Sequence, residues 1–401
     1  MTTSPKRILF MAEAVTLAHV ARCVALADEL HNTGNYTLAL AADDRYDALL
    51  GELPYQRLPL YSVSNDYFLK KLATGSPLYD VKTLCRYVED DIKIIEAFKP
   101  DFIFGDFRLS LAISGKLKNI PYATITNAYW SPYAAIDYTI PEIPLTKIFG
   151  VAVAQKLFDW VKPIIFKIHA MAFNKACKKL GQPPLRYDMR EIYTHADYTL
   201  YADMESLIPM KALPANHHFI GPVLWSAKVP LPEWWETLPT DKPVVFVTLG
   251  SSGDSALLPM IIDALGKMPV TAICVTGKMQ GLPHYPNVHV AEFLPADAAV
   301  KKADVVICNG GSPMVYQSLV GNKPVIGIPC NLDQYLMMGA LKAAGKGQLI
   351  RAGKADAKAV HDAVKQALSA REKTGDFAPG VPAFSVGKIE ELIQLATKQH
   401  P

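Results

Sequence analysis

Residues 303–345 read ADVVICNGGSPMVYQSLVGNKPVIGIPCNLDQYLMMGALKAAG, and this stretch says more about the chain than any other. An apolar run at 305–308 is typical of a buried strand. The chain then turns through 309–311, follows a helical pattern over about 312–319 and enters a second apolar strand at 324–328. Strand, Gly-Gly turn, helix and strand form a βαβ unit, which indicates a parallel sheet.

The Gly-Gly turn of this unit predicts a binding site for an anion, above all a phosphate. It places backbone N–H groups at a helix N-terminus, where they lack partners within the helix and where the helix dipole is positive. Asn309 is able to donate a hydrogen bond there but brings no charge, and Pro313 has no N–H. We therefore expect the binding to rely on the backbone N–H groups of Ser312 and Met314.

The stretch resembles the donor signature of sugar-nucleotide glycosyltransferases of the UDP-glycosyltransferase type. That signature reads H-G-G-x-G-[ST]-x-x-E-A-L, followed by G-x-P, by P and by D-Q. Here the string is N-G-G-S-P-M-V-Y-Q-S-L, followed by Gly321 and Pro324, by Pro329 and by Asp333-Gln334, a match over about 30 residues. Four departures mark a divergent member: Asn309 replaces the His, Pro313 the second-turn Gly, Met314 the Ser or Thr, and Gln317 the Glu.

The rest of the chain continues the alternation of strands and helices, which predicts an α/β fold with parallel sheets. A proline-rich segment at 222–243 is the predicted linker between a first domain at 1–221 and a second at 244–384. The resemblance implies the GT-B architecture, in which two Rossmann-like domains face each other across a cleft. The first domain then binds the acceptor and the second the nucleotide sugar. The resemblance also implies that a C-terminal helix, here about 385–401, returns to the first domain.

Composition and charge exclude several classes of protein. The 401 residues are too many for one compact core, and 50% hydrophobic with 20% charged residues are typical of a globular protein. A net charge of +3 without a run of Lys or Arg argues against nucleic acid as a partner. The six cysteines are scattered with no C-x-x-C pair, so neither a zinc site nor a disulfide framework is predicted. We expect a cytoplasmic protein.

No run of residues reaches the ~18–20 apolar positions of a membrane span. The nearest approach is 148–173, which is interrupted by charged or polar residues: Lys156, Asp159, Lys162, Lys167 and His169. Two structures fit this segment. One is a set of helices packed beside the acceptor cleft, and the other is an amphipathic helix pair that lies on a membrane surface. Peripheral contact with a membrane is therefore an open alternative.

His19 is the candidate general base. Because a helical pattern at 18–31 follows a first strand at 7–14, His19 is expected at the carboxyl edge of the sheet, where α/β folds bind ligands. An acceptor hydroxyl is a weak nucleophile, and histidine suits the removal of its proton near neutral pH. The resembled family places its base in G-H-x-x-P at this point, and only the His of A-H-V-A-R matches here. The alternative is a surface or capping histidine.

Asp106 is the candidate partner of His19. It follows a predicted strand at 102–105 and precedes a helix. The resemblance implies that a carboxylate at this point orients the base and steadies the imidazolium that forms. The alternative is that Asp106 only caps the helix.

The acceptor pocket is predicted from aromatic residues. Tyr129, Trp130 and Tyr133 follow a predicted strand at 122–126, and they either line the pocket or belong to the core. The mean hydropathy of +0.12 is high for a soluble protein and favours a hydrophobic acceptor, either a small molecule or a lipid.

The donor site draws on further segments of the second domain. The glycines of 250–253 permit close approach of a diphosphate to the backbone. The resemblance implies that Phe293 stacks on the base, that the backbone of Leu294 reads its edge, and that Gln317 stands at the ribose position. It also implies that Asp333 and Gln334 hold the hydroxyls of the sugar. The full candidate set is Gly250, Ser251, Ser252, Phe293, Leu294, Asn309, Gly310, Gly311, Ser312, Met314, Gln317, Asp333 and Gln334.

The expected function is an inverting glycosyl transfer from a UDP- or TDP-type sugar to a hydroxyl group. No D-x-D motif or cluster with metal-ligand spacing stands in a plausible site, so no metal and no cofactor beyond the co-substrate is expected. Two alternatives remain: a sugar-nucleotide epimerase of the same architecture, and a non-catalytic accessory protein that binds a nucleotide sugar. A dinucleotide-dependent oxidoreductase is disfavoured, because no G-x-G-x-x-G follows either first strand.

Overall fold

The computed structural model describes the backbone of residues 5–239, 241–374 and 384–399. These residues form two compact units. The first unit takes its residues from 1–135, 156–223 and 382–401, and the second from 136–155 and 224–381.

The first unit contains a sheet of seven parallel strands. These are β1 Lys6–Ala12, β2 Tyr36–Ala42, β3 Gln56–Pro59, β4 Phe102–Asp106, β5 Tyr122–Thr126, β6 Tyr198–Tyr201 and β7 His217–Phe219. Their order is β3-β2-β1-β4-β5-β6-β7, so the direction of progression reverses between β1 and β4. Such a reversal opens a crevice at the carboxyl ends of the two strands, where open α/β sheets bind ligands.

The second unit contains a sheet of six parallel strands. These are β8 Val244–Thr248, β9 Thr271–Val275, β10 Val288–Ala291, β11 Val305–Cys308, β12 Val325–Gly327 and β13 Gly347–Leu349. Their order is β10-β9-β8-β11-β12-β13, with the reversal between β8 and β11. The stretch quoted at the outset supplies β11, β12 and the helix between them.

The described helices pack against the two sheets or connect their strands. They are α1 Leu17–Asn32, α2 Asp47–Leu50, α3 Asn65–Thr74, α4 Val81–Phe98, α5 Leu111–Lys118, α6 Pro144–Lys179, α7 Met189–Tyr193, α8 Leu258–Gly266, α9 Ala296–Lys302, α10 Ser312–Val320, α11 Leu332–Ala343, α12 Ala357–Thr374 and α13 Val386–Gln399. Helix α6 is interrupted at Gly150, whose φ of 72° and ψ of 161° are not helical. Across the described ranges, none of the helices combines the length and apolarity needed to cross a bilayer.

The prediction of an α/β fold with parallel sheets is confirmed. The central strands are buried on both faces and therefore read as continuous apolar runs, as in 8–12 and 305–308, which are wholly inaccessible. Strands β3 and β13 were not predicted. Each lies at the edge of its sheet and is only partly buried, so it lacks such a run.

Helix α13 belongs to the first unit, as the resemblance implied. Its residues Ile389 and Ile393 are fully buried there. Lys388 donates through Nζ to the carbonyl of Phe219 in β7 at 2.9 Å. The C-terminal part of the chain therefore completes the first unit rather than the second.

The structure differs from the predicted domains at 136–155, which belongs to the second unit. Glu142 explains this placement, because its Oε1 accepts from Tyr335 Oη at 2.6 Å and lies 2.9 Å from Arg351 Nη2. Arg351 also donates to the carbonyl of Ile140 at 2.9 Å. These partners lie about 200 residues away along the chain, so no local pattern reveals them.

A pH effect on stability is expected from His217 in β7. Its Nδ1 lies 2.6 Å from Tyr201 Oη, and burial, with His218 nearby, lowers the pKa of His217 to about 4. As the pH falls from 7 to 5, the unfolded chain binds a proton at this position and the folded chain does not, so the wild type loses about 2 kcal/mol of its free energy of unfolding through this group. His217→Asn escapes this loss. Urea unfolding of both proteins at pH 7 and pH 5 measures the difference, with the exposed His31→Asn as control.

A loss between pH 7 and 5 that is equal in the wild type and in His217→Asn would contradict this assignment. The substitution itself is expected to destabilise at pH 7, because it alters the contact with Tyr201. The difference between the two pH values, and not the absolute value, is therefore the quantity that tests His217.

Candidate active site

The structure brings His19 and Asp106 together at the reversal point of the first sheet. Ala12 at the end of β1 pairs in register with Asp106 at the end of β4, and His19 is in the first turn of α1. His19 Nδ1 lies 2.7 Å from Asp106 Oδ1. The Asp106 side chain is fully buried, whereas 17% of the His19 side chain remains exposed. A ring with one nitrogen on a buried carboxylate and some access to solvent is able to exchange protons with a ligand.

This contact also fixes the tautomer of the neutral ring. A carboxylate is only an acceptor, so a nitrogen at 2.7 Å from it carries the hydrogen. His19 Nδ1–H therefore donates to Asp106, and Nε2 is left as the basic nitrogen. The ring stacks on Phe107 with centroids 4.8 Å apart, which holds its plane.

Arg22 is buried as well and binds the same carboxylate. Its Nε donates to Asp106 Oδ2 at 2.7 Å and its Nη2 to Oδ1 at 2.8 Å, a two-pronged contact. Burial acts to lower the pKa of Arg22, but the charge and hydrogen bonds of Asp106 outweigh it and leave that pKa above its usual value. Arg22 Nη2 is also 3.3 Å from His19 Nδ1, and since both are donors they share Asp106 rather than bond to each other.

A chain of polar contacts extends this arrangement to the ends of β5 and β6. Arg22 Nη1 donates to Asn127 Oδ1 at 2.8 Å, and Asn127 Nδ2 donates to Asp203 Oδ1 at 3.0 Å. Asp203 Oδ2 accepts from the backbone N–H of Ala128 at 2.5 Å. The loops after three neighbouring strands are thereby tied to one arginine.

A second buried ionic cluster lies beside Asp106. Arg108 Nη1 is 2.9 Å from Glu13 Oε2, and Arg108 Nε is 2.9 Å from Asp91 Oδ1. Burial raises the pKa of Glu13 against the opposing effect of Arg108, and Tyr87 Oη donates to its other oxygen at 2.8 Å. The backbone N–H of Glu13 bonds to the carbonyl of Asp106, so the cluster fixes the backbone at the ends of β1 and β4.

Aromatic rings form a row that begins at His19. Phe107 packs edge-on against Tyr193 at 5.3 Å, and Tyr193 packs in the same way against Trp130 at 5.3 Å. Of the three predicted acceptor aromatics, Trp130 is part of this row, and the Tyr129 ring lies 6.3 Å from the Trp130 ring between centroids. Tyr129 is a fully buried core residue, and Tyr133 packs against His217. The sequence did not point to Phe107 or Tyr193, which lie in a turn and a short helix.

In the second unit, three loops meet at the reversal point of the sheet. They follow β8, β11 and β12 and comprise 249–253, 309–311 and 328–331. A Cβ on Gly253 would lie 2.2 Å from the carbonyl oxygen of Leu249, so no other residue fits there. Gly310 has a φ of 80°, which also favours glycine. A Cβ on Gly253 would also lie 2.9 Å from Asn309 Cβ, so glycine at 253 permits the loop after β8 to approach the loop after β11.

Gln334 ties these loops together from within. Its Nε2 donates to the carbonyl of Ser252 at 3.1 Å, and its Oε1 accepts from the N–H of Cys330 at 2.9 Å. It also forms a reciprocal capping box with Asn331 at the start of α11. Only 1% of Gln334 is exposed. The side-chain amide of Gln334 is therefore engaged inside the protein, and its contact with a sugar hydroxyl stays a prediction.

Asn309 has a similar internal role in the loop after β11. Its Oδ1 accepts from the N–H of Gly311 at 3.1 Å, and its Nδ2 is 3.5 Å from Ser252 Oγ. Helix α10 begins directly afterwards, with Gly311 as its N-cap and Ser312 buried in its first turn. The positive end of the dipole of α10 therefore lies at the carboxyl edge of the sheet.

The other predicted donor residues differ in exposure. Phe293 is 38% exposed just after β10, whereas the adjacent Leu294 is buried. Met314, Gln317 and Asp333 are partly buried, and Gly250 and Ser251 are exposed at the end of β8. Their roles toward a ligand stay predictions.

Comparison with known proteins identifies the family. The model described as glycosyltransferase family 28 C-terminal domain matches residues 244–378. A PGL/p-HBAD biosynthesis glycosyltransferase of Mycobacterium tuberculosis (strain ATCC 25177 / H37Ra) is 44% identical over 398 residues, which cover 97% of this chain and 92% of that protein. The chain belongs to this family of glycosyltransferases. It is therefore an enzyme, and the alternatives of an epimerase and of a non-catalytic accessory protein give way to this assignment.

Other proteins agree with this assignment. The glycosyltransferase is 42% identical over 403 residues to a PGL/p-HBAD biosynthesis rhamnosyltransferase of Mycobacterium bovis (strain BCG / Pasteur 1173P2), which covers 99% of this chain and 89% of that protein. Its fold is similar to that of spinosyn forosaminyltransferase SpnP, with a TM-score of 0.70, 16% identity and coverage of 98% and 100% of the two chains. Spinosyn rhamnosyltransferase SpnG complexed with thymidine diphosphate has a TM-score of 0.63 at 16% identity, with 98% of each chain covered. The likeness to these solved structures shows the fold, which is GT-B.

Sequence reasoning on this glycosyltransferase missed the residues that hold His19 and Asp106 in place. Arg22 stands where the resembled signature has proline, and this departure is the one feature of the sequence that could have drawn attention to Arg22. Asn127 and Asp203 gave no signal of their own, because each follows a strand as many polar residues do.

Proposed function

We propose that this glycosyltransferase inverts the anomeric carbon of a nucleotide diphosphate sugar and that His19 is its general base. The contact of 2.7 Å between His19 Nδ1 and the buried Asp106 carries the proposal. It leaves Nε2 as the proton acceptor, in a partly exposed ring at the ligand-binding edge of the sheet. A histidine that only capped a helix would not need a buried carboxylate behind it.

The proposed reaction is a single displacement. His19 Nε2 takes the proton of the acceptor hydroxyl as the acceptor oxygen bonds to the anomeric carbon. The bond from that carbon to the diphosphate oxygen breaks, and its electron pair leaves with the diphosphate. Attack opposite the leaving group inverts the configuration, and Asp106 stabilises the imidazolium that forms.

The proposed donor is a UDP- or TDP-type sugar, bound without a metal ion. Close approach of the backbone at 250–253 and 309–311, together with the dipole of α10, supports stabilisation of the departing diphosphate. A rhamnosyltransferase relative and the thymidine diphosphate complex of a protein with a similar fold support this class of donor. Exposed Phe293 is the proposed stacking partner of the base.

The proposed acceptor is a hydroxyl group on a hydrophobic compound. The row of rings from Phe107 through Tyr193 to Trp130 supports this, because it continues directly from the base. The relatives named for PGL/p-HBAD biosynthesis act as guides to which acceptors to test first. A cytoplasmic location stays a prediction.

Binding of nucleotides tests the donor site directly. Thermal-shift and calorimetric titrations with UDP, TDP, GDP, ADP and NAD, each with Mg²⁺ and with EDTA, are expected to show binding of UDP or TDP that EDTA does not weaken. Loss of that binding in EDTA would overturn the metal-independent mechanism. Binding of NAD alone would overturn the proposed donor class. Analysis of the anomeric configuration of a transferred sugar then tests inversion.

Substitutions of Asp333 and Gln334 are expected to distinguish recognition of the sugar by Asp333 from stabilisation of the loops by Gln334. Asp333→Ala weakens binding of a nucleotide sugar about tenfold and leaves free nucleotide diphosphate unaffected, because its predicted contact is with a sugar hydroxyl. Gln334→Ala weakens both ligands, because it removes the brace between Ser252 and Cys330. It also lowers the free energy of unfolding by about 1–3 kcal/mol, since buried backbone groups lose a partner. Calorimetry with TDP and TDP-rhamnose, or UDP and UDP-glucose, measures the binding.

The matched control is Asp297→Ala, an exposed acidic residue in the first turn of α9, which is expected to leave both ligands unchanged. If Asp333→Ala weakened TDP and TDP-rhamnose equally, Asp333 would not read the sugar. If Gln334→Ala kept full affinity for TDP, the bracing role would be wrong.

A further inference from the structure

Helix α6 presents an apolar face to solvent within the first unit. In the part of α6 that belongs to the first unit, 156–179, five large apolar residues are exposed, namely Leu157, Trp160, Ile164, Ile168 and Met171. Trp160 is 76% exposed, an unusual state for the largest apolar side chain. We call these five residues the apolar stripe.

The apolar stripe lies on one side of the helix. Its members follow one another at intervals of three or four residues, so they share a face about 21 Å long. The other side of the same helical segment is buried through Phe158, Phe166, Ala170 and Phe173. Packing within the first unit therefore buries one side of α6 and leaves the apolar stripe exposed, as expected of a surface that binds a partner.

Basic residues accompany the apolar stripe. Between 156 and 179 the chain has six lysines and a single acidic residue, Asp159. Lys156 and Lys167 are exposed and fall next to the stripe on a helix of 100° per residue. Lys175, Lys178 and Lys179 continue the positive charge at the C-terminal end, and all three are exposed.

We propose that the apolar stripe and its lysines bind the surface of an anionic lipid bilayer. A helix that combines Trp, Leu and Ile on one face with flanking lysines lies in the interface, with apolar side chains among the acyl chains and ammonium groups at the phosphates. A second copy of the chain is a poorer partner, because it would bring the same positive charge against itself. The proposal does not depend on which reaction the enzyme catalyses.

Vesicle binding by the full-length protein tests this inference. Co-sedimentation with phosphatidylcholine vesicles is compared with vesicles that also contain about 30% phosphatidylglycerol, at about 0.05 M and 0.5 M NaCl. The wild type is expected to bind the anionic vesicles at least about tenfold more tightly, and high salt is expected to weaken this binding. Trp160→Gln with Ile164→Gln is expected to lose about tenfold or more of the affinity. Lys156→Gln with Lys167→Gln is expected to reduce the preference for anionic lipid.

Controls replace exposed apolar residues elsewhere in the first unit. Leu213→Gln and Leu395→Gln, 43% and 45% exposed in the wild type, are expected to bind vesicles as the wild type does. Circular dichroism and thermal unfolding confirm that the variants are folded, which is expected because every substituted side chain is exposed.

Three results would overturn the proposal. The first is an absence of binding to anionic vesicles, or a binding that the stripe variant retains in full. The second is a dimer, detected by light scattering, that the stripe variant dissociates, since the face would then be a protein interface. The third is a loss of transfer to a water-soluble acceptor in the stripe variant that is as large as its loss of vesicle binding. The stripe would then be part of the acceptor site.

Discussion

Replacing His19 by alanine lowers the rate of sugar transfer by at least ~10²-fold, which is the effect expected when a general base is lost. Binding of the nucleotide sugar stays nearly unchanged, because the nearest contacts of His19 are Asp106, Arg22 and Phe107 in the first unit. Initial rates with a saturating donor, together with calorimetry for donor affinity, measure both quantities. A large fall in kcat at constant donor affinity is specific to the chemical step.

The matched control is His31→Ala, because His31 lies in the last turn of the same helix and is exposed. Its removal is expected to leave the rate within about twofold of the wild type. Turnover close to normal in His19→Ala would refute the assignment of the base. A fall in donor affinity as large as the fall in kcat would instead indicate damage to the structure.

Replacing Arg22 by glutamine is expected to lower the free energy of unfolding by about 3 kcal/mol. The reason is that the fully buried carboxyl group of Asp106 would lose its two-pronged partner. We also expect kcat to fall about tenfold with little change in KM for the donor, because the carboxylate that orients His19 loses its own support. Arg22→Lys keeps the charge but loses the fork, so it is expected to restore only part of the stability. Urea unfolding and steady-state kinetics measure these effects.

Arg190→Gln provides the comparison for a more exposed ion pair. Arg190 lies 2.6 Å from Asp188, with 27% and 25% of the two side chains exposed. Because solvent screens such a pair, its loss is expected to change the free energy of unfolding by at most about 1 kcal/mol. If Arg22→Gln and Arg190→Gln lowered the free energy of unfolding equally, burial of the Arg22–Asp106 pair would not increase its contribution to stability.

The sequence predicted those features that depend on local pattern. Apolar runs predict the buried strands, and the glycines at 250, 253 and 310 predict the turns. Burial of a strand and the backbone conformation of a turn both depend on residues that are neighbours in the sequence. His19 and Asp106 were named from a resemblance, and the structure places them 2.7 Å apart. The roles of these two residues in sugar transfer stay predictions, and the kinetics of His19→Ala test them.

Other features depend on contacts between distant residues, and these escaped prediction. Arg22 and Asp106 are 84 positions apart in the sequence. The presence of arginine where the resembled signature has proline therefore does not by itself predict a buried ion pair. For Gln334 the residue type and position matched the signature, but the direction of the side chain did not follow from them. At the start of α11 the backbone N–H groups need a partner, and the amide of Gln334 takes that place.

The discontinuous make-up of the two units limits how relatives can be recombined. A chimaera joined at one point near 223 would combine 1–223 of one enzyme with the remainder of another. Glu142 would then face a foreign Tyr335 and Arg351, and the first sheet would receive a foreign α13. Exchange of the second unit between relatives therefore requires that 136–155 be exchanged with it and that α13 be kept with the first unit.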